Sequence, residues 1–246
     1  METLSDILDR ERRLSARFFG AVIDVPPVPG WISETLSAHW QRHRFDIRYL
    51  PPFAMDEGLA LPAWKDRPGP AFFRVIRPRL SSPRAAAQGH WMLVDARDRP
   101  ARRVPWIRST ETQWLERFGL RVKDVVKRWT RQAFDDEYLD PALRPAGFGS
   151  RFGLSVRDVD RCKPFIRSFL KLDSARTVRL PFFSEYNYLA NAAYPPWSAQ
   201  TTWEWLEDRT DGGDRLVVGG GSAGCVGWEA PEFWSSILAF RPFVEL

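Results

Sequence analysis

Apolar positions in the first fifty residues follow first a helical period and then a strand period. Over about 3–19 they fall on one face of a helix, and the apolar members are Leu4, Ile7, Leu8, Leu14, Phe18 and Phe19. A Pro-rich break at 25–30 precedes a second helix, which we expect over 33–42 with Ser33 as its N-cap. Residues 45–50 then alternate with a period of two, which predicts a strand.

The middle of the chain mixes short apolar runs with a longer helical pattern. The runs at 71–76 and 91–95 are bounded by turn residues and predict two more strands. The pattern over about 111–132 predicts a helix, and 140–153 predicts a loop.

The last third of the chain begins with a clear helix start. Ser155 and Asp158 have the spacing of a capping box, and Pro164 should kink or end the helix that they open. After about 177 the pattern predicts a short strand, a helix with aromatic residues and then Gly-rich strands and loops. The alternation of these elements predicts an α+β protein.

Composition limits the classes of partner and compartment. The chain has 246 residues, 44% of them hydrophobic, which is enough for one large domain or for a domain with an added N-terminal part. The net charge is +5, but Arg residues are interleaved with acidic ones, as in 157–161, so we expect a solvated surface and no nucleic-acid partner. The sequence has no apolar run long enough to predict a membrane span, and the N-terminus does not have the pattern of a secretion signal. We therefore expect a protein that is soluble when synthesised.

Few residues have a spacing that suggests chemistry. His39 and His43 are four apart on a predicted helix and can seat a metal there, but no third ligand is evident, so a solvated or capping face is expected. His90 has no cue for a catalytic role. The acidic cluster at 135–137 is typical of a solvated helix terminus. The glycines at 219–221 lack the Lys-Ser/Thr of a phosphate loop and indicate a tight turn or close packing. We predict no catalytic residue, metal or cofactor.

Three motifs follow one another in the last third of the chain. Residues 179–190 contain Arg-Leu-Pro and then Tyr-Leu-Ala, residues 203–208 contain Trp-Glu-Trp followed by Asp, and residues 219–222 and 239–242 read Gly-Gly-Gly-Ser and Ala-Phe-Arg-Pro. They resemble the Arg-Leu-Pro segment with Tyr-Ala-Ala, the Trp-Glu-Trp followed by Asp, and the Arg-Gly-Gly-Ser with Gly-Phe-Arg of the formylglycine-generating-enzyme superfamily, which has a C-type-lectin-like fold. The match covers a quarter to a third of the chain and implies a loop-rich fold with small antiparallel sheets and a few helices.

The residues of these motifs have physical roles that agree with a scaffold. Trp203 and Trp205 alternate on a strand and share one face, which leaves Glu204 on the other face, where it can pair with Arg241. Phe240 should be buried. The predicted scaffold residues are Arg179, Pro181, Glu185, Trp203, Glu204, Trp205, Gly220, Gly221, Phe240 and Arg241.

Departures from the superfamily pattern argue against its oxidase activity. Formylglycine-generating enzymes use two cysteines near the Gly-Phe-Arg end to hold copper. Here only Cys225 lies in that region, and Cys162 precedes the first motif, although one disulfide between them is possible. Gly219 and Ala239 also replace the Arg and Gly of the family motifs.

The C-terminal motifs resemble the variable proteins of diversity-generating retroelements more closely. Their C-terminal segment resembles Gly-Gly-Ser, a hypervariable stretch and Gly-Phe-Arg, and this chain stops five residues after Arg241. Adenines of their variable codons are randomised, so an Asn codon can become Ser, Ala, Gly, Val, Cys, Phe, Leu or Pro. Most residues of 222–238 are reachable in this way. Those that are not, and should be fixed or have another origin, are Trp228, Glu229, Glu232 and Trp234.

This resemblance implies a ligand-binding protein without enzymatic activity that presents residues 221–238 on a rigid frame, as antibodies present their loops. The implied organisation is a helix and Pro-rich linker over 1–30 and a C-type-lectin-like domain over 31–246, with 215–246 as its variable region. The implied partner is an unknown protein or cell-surface ligand, and the oligomeric state stays open. The predicted ligand-binding residues are Ser222, Ala223, Cys225, Val226, Trp228, Ala230, Phe233, Trp234, Ser235 and Ser236.

Three alternatives to this hypothesis stay open. The segment can be an ordinary Gly-rich loop with an aromatic plug. The chain can also be an oxidase of the superfamily, or a structural subunit of a virion or secretion assembly.

Overall fold

A computed structural model of the chain describes residues 1–81, 89–97, 143, 151, 153–199, 202–235 and 238–246. These residues form a mixed α+β structure with two small open sheets and a few helices, which confirms the predicted class. Several sequence predictions lie outside the described residues: the helix over 111–132, the acidic cluster at 135–137, most of the loop over 140–153, and the ligand-binding residue Ser236.

Side-chain caps open the first two described helices. The Thr3 side chain accepts from the Asp6 N–H at 3.2 Å, and Ser33, the predicted N-cap, accepts from the Leu36 N–H at 3.1 Å, so one orphan amide is satisfied in the first turn of each helix. The helices are α1 (Leu4–Phe19), α2 (Glu34–Arg42), α3 (Val156–Phe169), α4 (Phe183–Ala192) and α5 (Pro195–Ser198).

Helix α3 confirms the predicted capping box and continues past Pro164. The Ser155 hydroxyl donates to the Asp158 carboxylate at 2.9 Å, which fixes the first turn. Pro164 does not end the helix, which continues to Phe169. The proline lies on the exposed side of α3, where the carbonyl that loses its intrahelical partner can be solvated.

Two four-stranded sheets carry the rest of the described fold. Their strands are β1 (Phe45–Leu50), β2 (His90–Asp95), β3 (Val178–Arg179), β4 (Trp203–Arg209), β5 (Arg215–Gly219), β6 (Ser222–Glu229), β7 (Leu238–Ala239) and β8 (Phe243–Glu245). The first sheet has the order β1-β2-β8-β3 and is antiparallel. The second has the order β6-β5-β4-β7 and is antiparallel except for the pairing of β4 with β7.

Alternate residues of each sheet belong to different apolar clusters. In β2 the buried side chains of Leu93 and Met92 enter opposite clusters, and in β4 Trp205 and Leu206 do the same. Both sheets are therefore covered on both faces at their centres. The first cluster includes Trp40, Leu93, Ile166, Trp205 and Phe240, and the second includes Phe18, Met92, Phe183, Leu206 and Phe243.

The N-terminal helix is packed into this core. Ile7 joins the first cluster and Phe18 joins the second. Glu11 of α1 accepts a hydrogen bond from the Arg48 guanidinium at 3.0 Å, and both side chains are buried. The segment that the sequence sets apart at 1–30 therefore shares its core with 31–246.

The run at 71–76 is not a strand, so this prediction is wrong. Residues Phe72–Ile76 form a π-helical turn that continues into a 3₁₀ turn over Arg77–Arg79. The buried members, Phe72 and Ile76, are four residues apart, whereas Val75 is exposed. A helical spacing of the buried residues therefore overrides the β propensity of the run.

In the described part of the chain no helix is both long and apolar enough to cross a membrane. The two longest helices there, α1 and α3, have 16 and 14 residues and alternate buried with charged positions.

Candidate functional site

A buried ion pair joins the second sheet to the chain end. The Arg241 guanidinium donates to both carboxylate oxygens of Glu204, with Nε–Oε2 and Nη2–Oε1 distances of 2.9 and 2.8 Å. Its Nη1 group donates to the carbonyl oxygens of Asp95 and Arg97 at 2.8 and 2.6 Å. The guanidinium also lies 3.9 Å from the centre of the Trp197 ring. The predicted pairing of Glu204 with Arg241 is confirmed, and Phe240 is buried as predicted.

A second buried ion pair fixes the start of α4. Arg179 donates to both oxygens of Glu185 at 2.6 Å and to Glu245 at 2.8 Å. Burial raises the pKa of Glu185, but the charge of Arg179 and hydrogen bonds from His90, Arg179 and the Phe182 N–H outweigh it and lower the pKa to about 2. Glu185 therefore stays ionised and caps the helix.

Pro181 and Trp205 tie neighbouring elements to this frame. The Pro181 carbonyl accepts from the Glu207 N–H at 2.8 Å, and Trp205 donates its indole N–H to the Leu154 carbonyl at 2.8 Å. Trp205 is buried and Trp203 half-buried in the first cluster, on the face opposite Glu204.

The glycines at 219–221 make the turn between β5 and β6. All three have positive φ, at 145°, 68° and 99°. A Cβ on Gly219 would overlap the Thr202 carbonyl oxygen, and one on Gly220 would come within 2.8 Å of the Trp203 ring. Only glycine fits both the backbone and the space here, so the turn is tight and closely packed, as the sequence predicts.

Strand β6 is buried at its beginning and open at its end. Ala223 is 0% exposed and packs in the second cluster, and its carbonyl accepts from the Asn187 side chain at 2.8 Å. The neighbouring Gly224 lies so close to the Arg67 carbonyl that a Cβ would overlap it. The prediction of Ala223 as a ligand-binding residue is therefore corrected, because a distant segment covers this part of the strand.

The other predicted ligand-binding residues lie at or near the surface. Trp228 and Phe233 are 40% and 41% exposed, which is high for aromatic side chains. Cys225 and Ala230 are also exposed. The half-buried ones are Ser222, Val226, Trp234 and Ser235.

An apolar cleft lies beside the end of β6, with a volume of 210 Å³. Val217, Trp203 and Leu238 belong to the first cluster and form its inner part. We call it the aromatic cleft, and its lining residues are Trp203, Val217, Gly227, Trp228, Glu229, Phe233, Ser235 and Leu238. The sequence places Gly227 and Leu238 inside the predicted surface 221–238 without naming them as binding residues, and it does not point to Val217. The local signal was Gly227, an isolated glycine in a strand, which is typical of a close approach by another chain or ligand.

Trp228 borders the cleft, but it alternates with Gly227 along β6, so its side chain points to the other face of the sheet. Trp228 pairs across the strands with Leu216, whose side chain enters the second cluster. The Arg79 guanidinium lies 6.0 Å from the ring centre. The open end of β6 thus carries an aromatic residue on one face and the aromatic cleft on the other.

A larger and more polar cleft of 450 Å³ lies on another side of the molecule. Asp208 lines it together with Lys163, Arg179 and Glu207. Burial raises the pKa of Asp208 to about 7, with the charges of Glu185 and Glu207 adding to it. Its carboxylate accepts from the Phe183 N–H at 2.6 Å, and Arg179 is already paired, so these groups hold the frame together. No His or Cys occurs among the described lining residues of this cleft.

The structure also shows the positions of the histidine pair and of the two cysteines. The rings of His39 and His43 are 4.8 Å apart, and His39 contacts the Phe169 carbonyl at 3.1 Å. Among the described residues no group of three or more possible metal ligands occurs. Cys162 is buried in the first cluster and Cys225 is exposed, and no disulfide joins them.

Comparison of the chain with known proteins gives no match to a protein-family model, to a curated protein or to a solved structure. The likeness to retroelement variable proteins and to the C-type-lectin-like fold thus stays a proposal from the motifs.

Proposed function

We propose that this chain is a ligand-binding protein that presents the open end of β6 and the segment after it to a macromolecular partner, on a C-type-lectin-like scaffold. The observation that carries this proposal is the aromatic cleft, an apolar concavity of 210 Å³ flanked by the exposed ring of Phe233. Exposed aromatic residues at an apolar pocket are typical of protein-binding hot spots.

The frame beneath this surface supports the proposal. The turn at 219–221 and the pair of Glu204 with Arg241 hold the backbone on both sides of the surface segment. Neither contact uses a side chain of 225–235. Replacement of the exposed side chains therefore leaves the backbone order in place, which is the condition for a surface that varies.

The placement of the cysteines favours binding over oxidase chemistry of the superfamily type. That chemistry uses a pair of cysteines, and the two cysteines of this chain are divided between the interior and the surface. We therefore propose a binding role without a reaction, and we propose that a retroelement diversifies the surface.

Deep sequencing of the gene segment for residues 215–246 in natural populations tests this function. We expect amino-acid replacements to concentrate at the exposed or half-exposed positions Cys225, Val226, Ala230, Phe233 and Ser235. The buried positions Ala223 and Arg241 should stay constant. We also expect a near-copy of the segment, with adenines at the differing positions, close to a reverse-transcriptase gene.

Two results would overturn the proposed function. One is replacement spread evenly over buried and exposed positions. The other is an invariant segment without the adenine-bearing copy, which would favour a structural subunit.

A further inference from the structure

Among the strands that the structure describes, none pairs with the outer edge of β6 over 225–229, and β6 pairs with β5 on one side only. The beginning of the strand is covered, since Ala223 and Gly224 contact Asn187 and Arg67, but this cover ends before Cys225. Natural edge strands are usually protected by Lys, Pro or a bulge. The stretch 225–229 contains one charged residue and no proline, and the register irregularity of β6 lies before Val226, so these residues do not block the edge themselves.

The hydrogen-bond phase of the sheet decides which backbone groups face this edge. The Gly220 N–H donates to the Thr202 carbonyl at 3.2 Å, which continues the register of β4 with β5. Hydrogen-bonded and non-hydrogen-bonded residue pairs alternate along two antiparallel strands. Val218 therefore directs its N–H and carbonyl groups towards β4, and Val217 directs its own towards β6.

The pairing of β5 with β6 completes this assignment. Gly227 pairs with Val217 and uses its N–H and carbonyl inside the sheet. Val226 and Trp228 therefore direct their N–H and carbonyl groups outward to the free edge.

Gly227 leaves a path from this edge into the aromatic cleft. It lies on the cleft face of β6, opposite Val217, and has no side chain to close the cleft. A Cβ at Gly227 would make ordinary contacts, 3.7 Å to Val217 and 4.0 Å to Trp203, so backbone geometry does not require glycine here. An aromatic side chain on an added strand is the kind of group that covers such an edge glycine.

The charge of the cleft adds a second requirement. Glu229 is the charged residue among the described residues that line the cleft. It lies two positions after Gly227 and therefore on the same face of the strand. An added strand with an aromatic side chain over Gly227 thus has its residue two positions away opposite Glu229. A basic side chain fits at that position.

We infer that β6 captures an extended segment of a partner protein by strand addition at 225–229, with an aromatic side chain in the aromatic cleft and a basic side chain, two positions away, against Glu229. This inference rests on the proposed function, since it uses the same surface. Backbone hydrogen bonds to Val226 and Trp228 supply affinity, and the cleft and Glu229 supply specificity.

A second copy of this chain does not fit as the occupant. The residues that β6 itself presents on the cleft face are Cys225, Gly227 and Glu229. None of them is aromatic or basic, so pairing of two β6 edges leaves both clefts empty and both glutamates unmatched.

Panning of phage-displayed random linear peptides on the full chain tests the inference. We expect enriched peptides to contain an aromatic and a basic residue two positions apart. Their affinities are then measured as synthetic peptides by isothermal titration calorimetry. Gly227→Val fills the cleft and Val226→Pro removes an outward N–H, and each should weaken binding about tenfold or more. Val226→Thr keeps that N–H and the branched shape, and should change affinity less than about twofold.

Amide hydrogen exchange separates strand addition from other modes of binding. The enriched peptide should slow exchange of the outward N–H groups of Val226 and Trp228. The Gly227 N–H is already bonded to β5 and should change little. Circular dichroism of each variant checks that the fold is kept.

Three results would overturn the inference: no enrichment on the wild-type chain, binding to Gly227→Val and Val226→Pro as tight as to the wild type, or a dimer of the free chain that Val226→Pro dissociates. If one of these three results is obtained while sequencing shows amino-acid replacements concentrated at the exposed positions, the proposed function stands and the partner is recognised as a folded surface. If variation is absent and the peptides bind, strand addition stands and the diversified display fails.

Discussion

The inner strands of the second sheet and its outer strand meet their surroundings differently. On β4, Glu204 is buried and shares two hydrogen bonds with Arg241, which in turn donates to two backbone carbonyls. On β6, Trp228 is exposed and the outer edge over 225–229 is unpaired in the described structure. Backbone order in this sheet thus comes from buried contacts that the outer side chains do not make, so the outer side chains can change without unfolding the chain.

Breaking the buried ion pair should have the largest effect on stability. Arg241→Met leaves Glu204 charged, buried and without its guanidinium, so we expect the free energy of unfolding to fall by about 3–5 kcal/mol. The double variant Arg241→Met with Glu204→Met should recover part of that loss, because no buried charge is left. Urea unfolding followed by circular dichroism measures both.

An exposed ion pair beside the binding segment is the matched control. Arg157 and Glu232 are 2.6 Å apart with side chains that are 75% and 56% exposed. Arg157→Met should change the free energy of unfolding by less than about 0.5 kcal/mol. Equal losses in the free energy of unfolding for Arg241→Met and Arg157→Met would show that burial does not decide how much each ion pair contributes to stability.

The pH dependence of stability sharpens the comparison within the frame itself. Asp208 has a pKa raised by burial from 3.8 to about 7, so the folded state binds a proton more tightly than the unfolded state does. Stability should therefore fall as pH rises from about 4 to about 7, by on the order of 4 kcal/mol, and level off above that. Glu185 has a lowered pKa of about 2, so its contribution is present above about pH 4.5 and is lost as pH falls towards 2.

Asp208→Asn isolates the first of these effects. In the wild type the Asp208 carboxylate accepts from the Phe183 N–H at 2.6 Å. The amide oxygen of the variant can still accept this hydrogen bond, but the side chain no longer titrates. The variant should gain stability relative to the wild type as pH rises through the range from about 4 to about 7. Parallel stability curves for the two proteins, from thermal unfolding at a series of pH values, would contradict the role of Asp208.

Two glycines of the second sheet form a matched pair with opposite predictions. Gly219 has a φ of 145° and no room for a Cβ beside the Thr202 carbonyl, so Gly219→Ala should cost about 2–3 kcal/mol. Gly227 has room for a Cβ, so Gly227→Ala should raise stability by about 0.5–1 kcal/mol, since it reduces the entropy of the unfolded chain. Thermal unfolding of both variants gives the comparison, and a large loss for Gly227→Ala would contradict an open cleft.

The sequence predicted the frame better than the surface, for a physical reason. Caps at Ser33 and Ser155 depend on residues three positions away, and the pair of Glu204 with Arg241 follows from strand alternation and motif resemblance. The covered beginning of β6 depends on the contact of Ala223 with Asn187 and of Gly224 with Asp66–Arg67, which no local pattern shows. The aromatic cleft likewise combines residues from β4, β5, β6 and β7, so it exists only once the strands are in register.

The smallest expected effect on stability concerns the exposed aromatic residue of the cleft. Phe233 is 41% exposed, so Phe233→Ala should lower the free energy of unfolding by less than about 0.5 kcal/mol. It should nevertheless weaken binding of an enriched peptide about tenfold, because it removes one wall of the cleft. Asp211→Ala, at an exposed turn outside the cleft, should change neither quantity. A loss of stability for Phe233→Ala close to that for Arg241→Met would mean that Phe233 supports the frame, and that the open end of β6 is not free to vary.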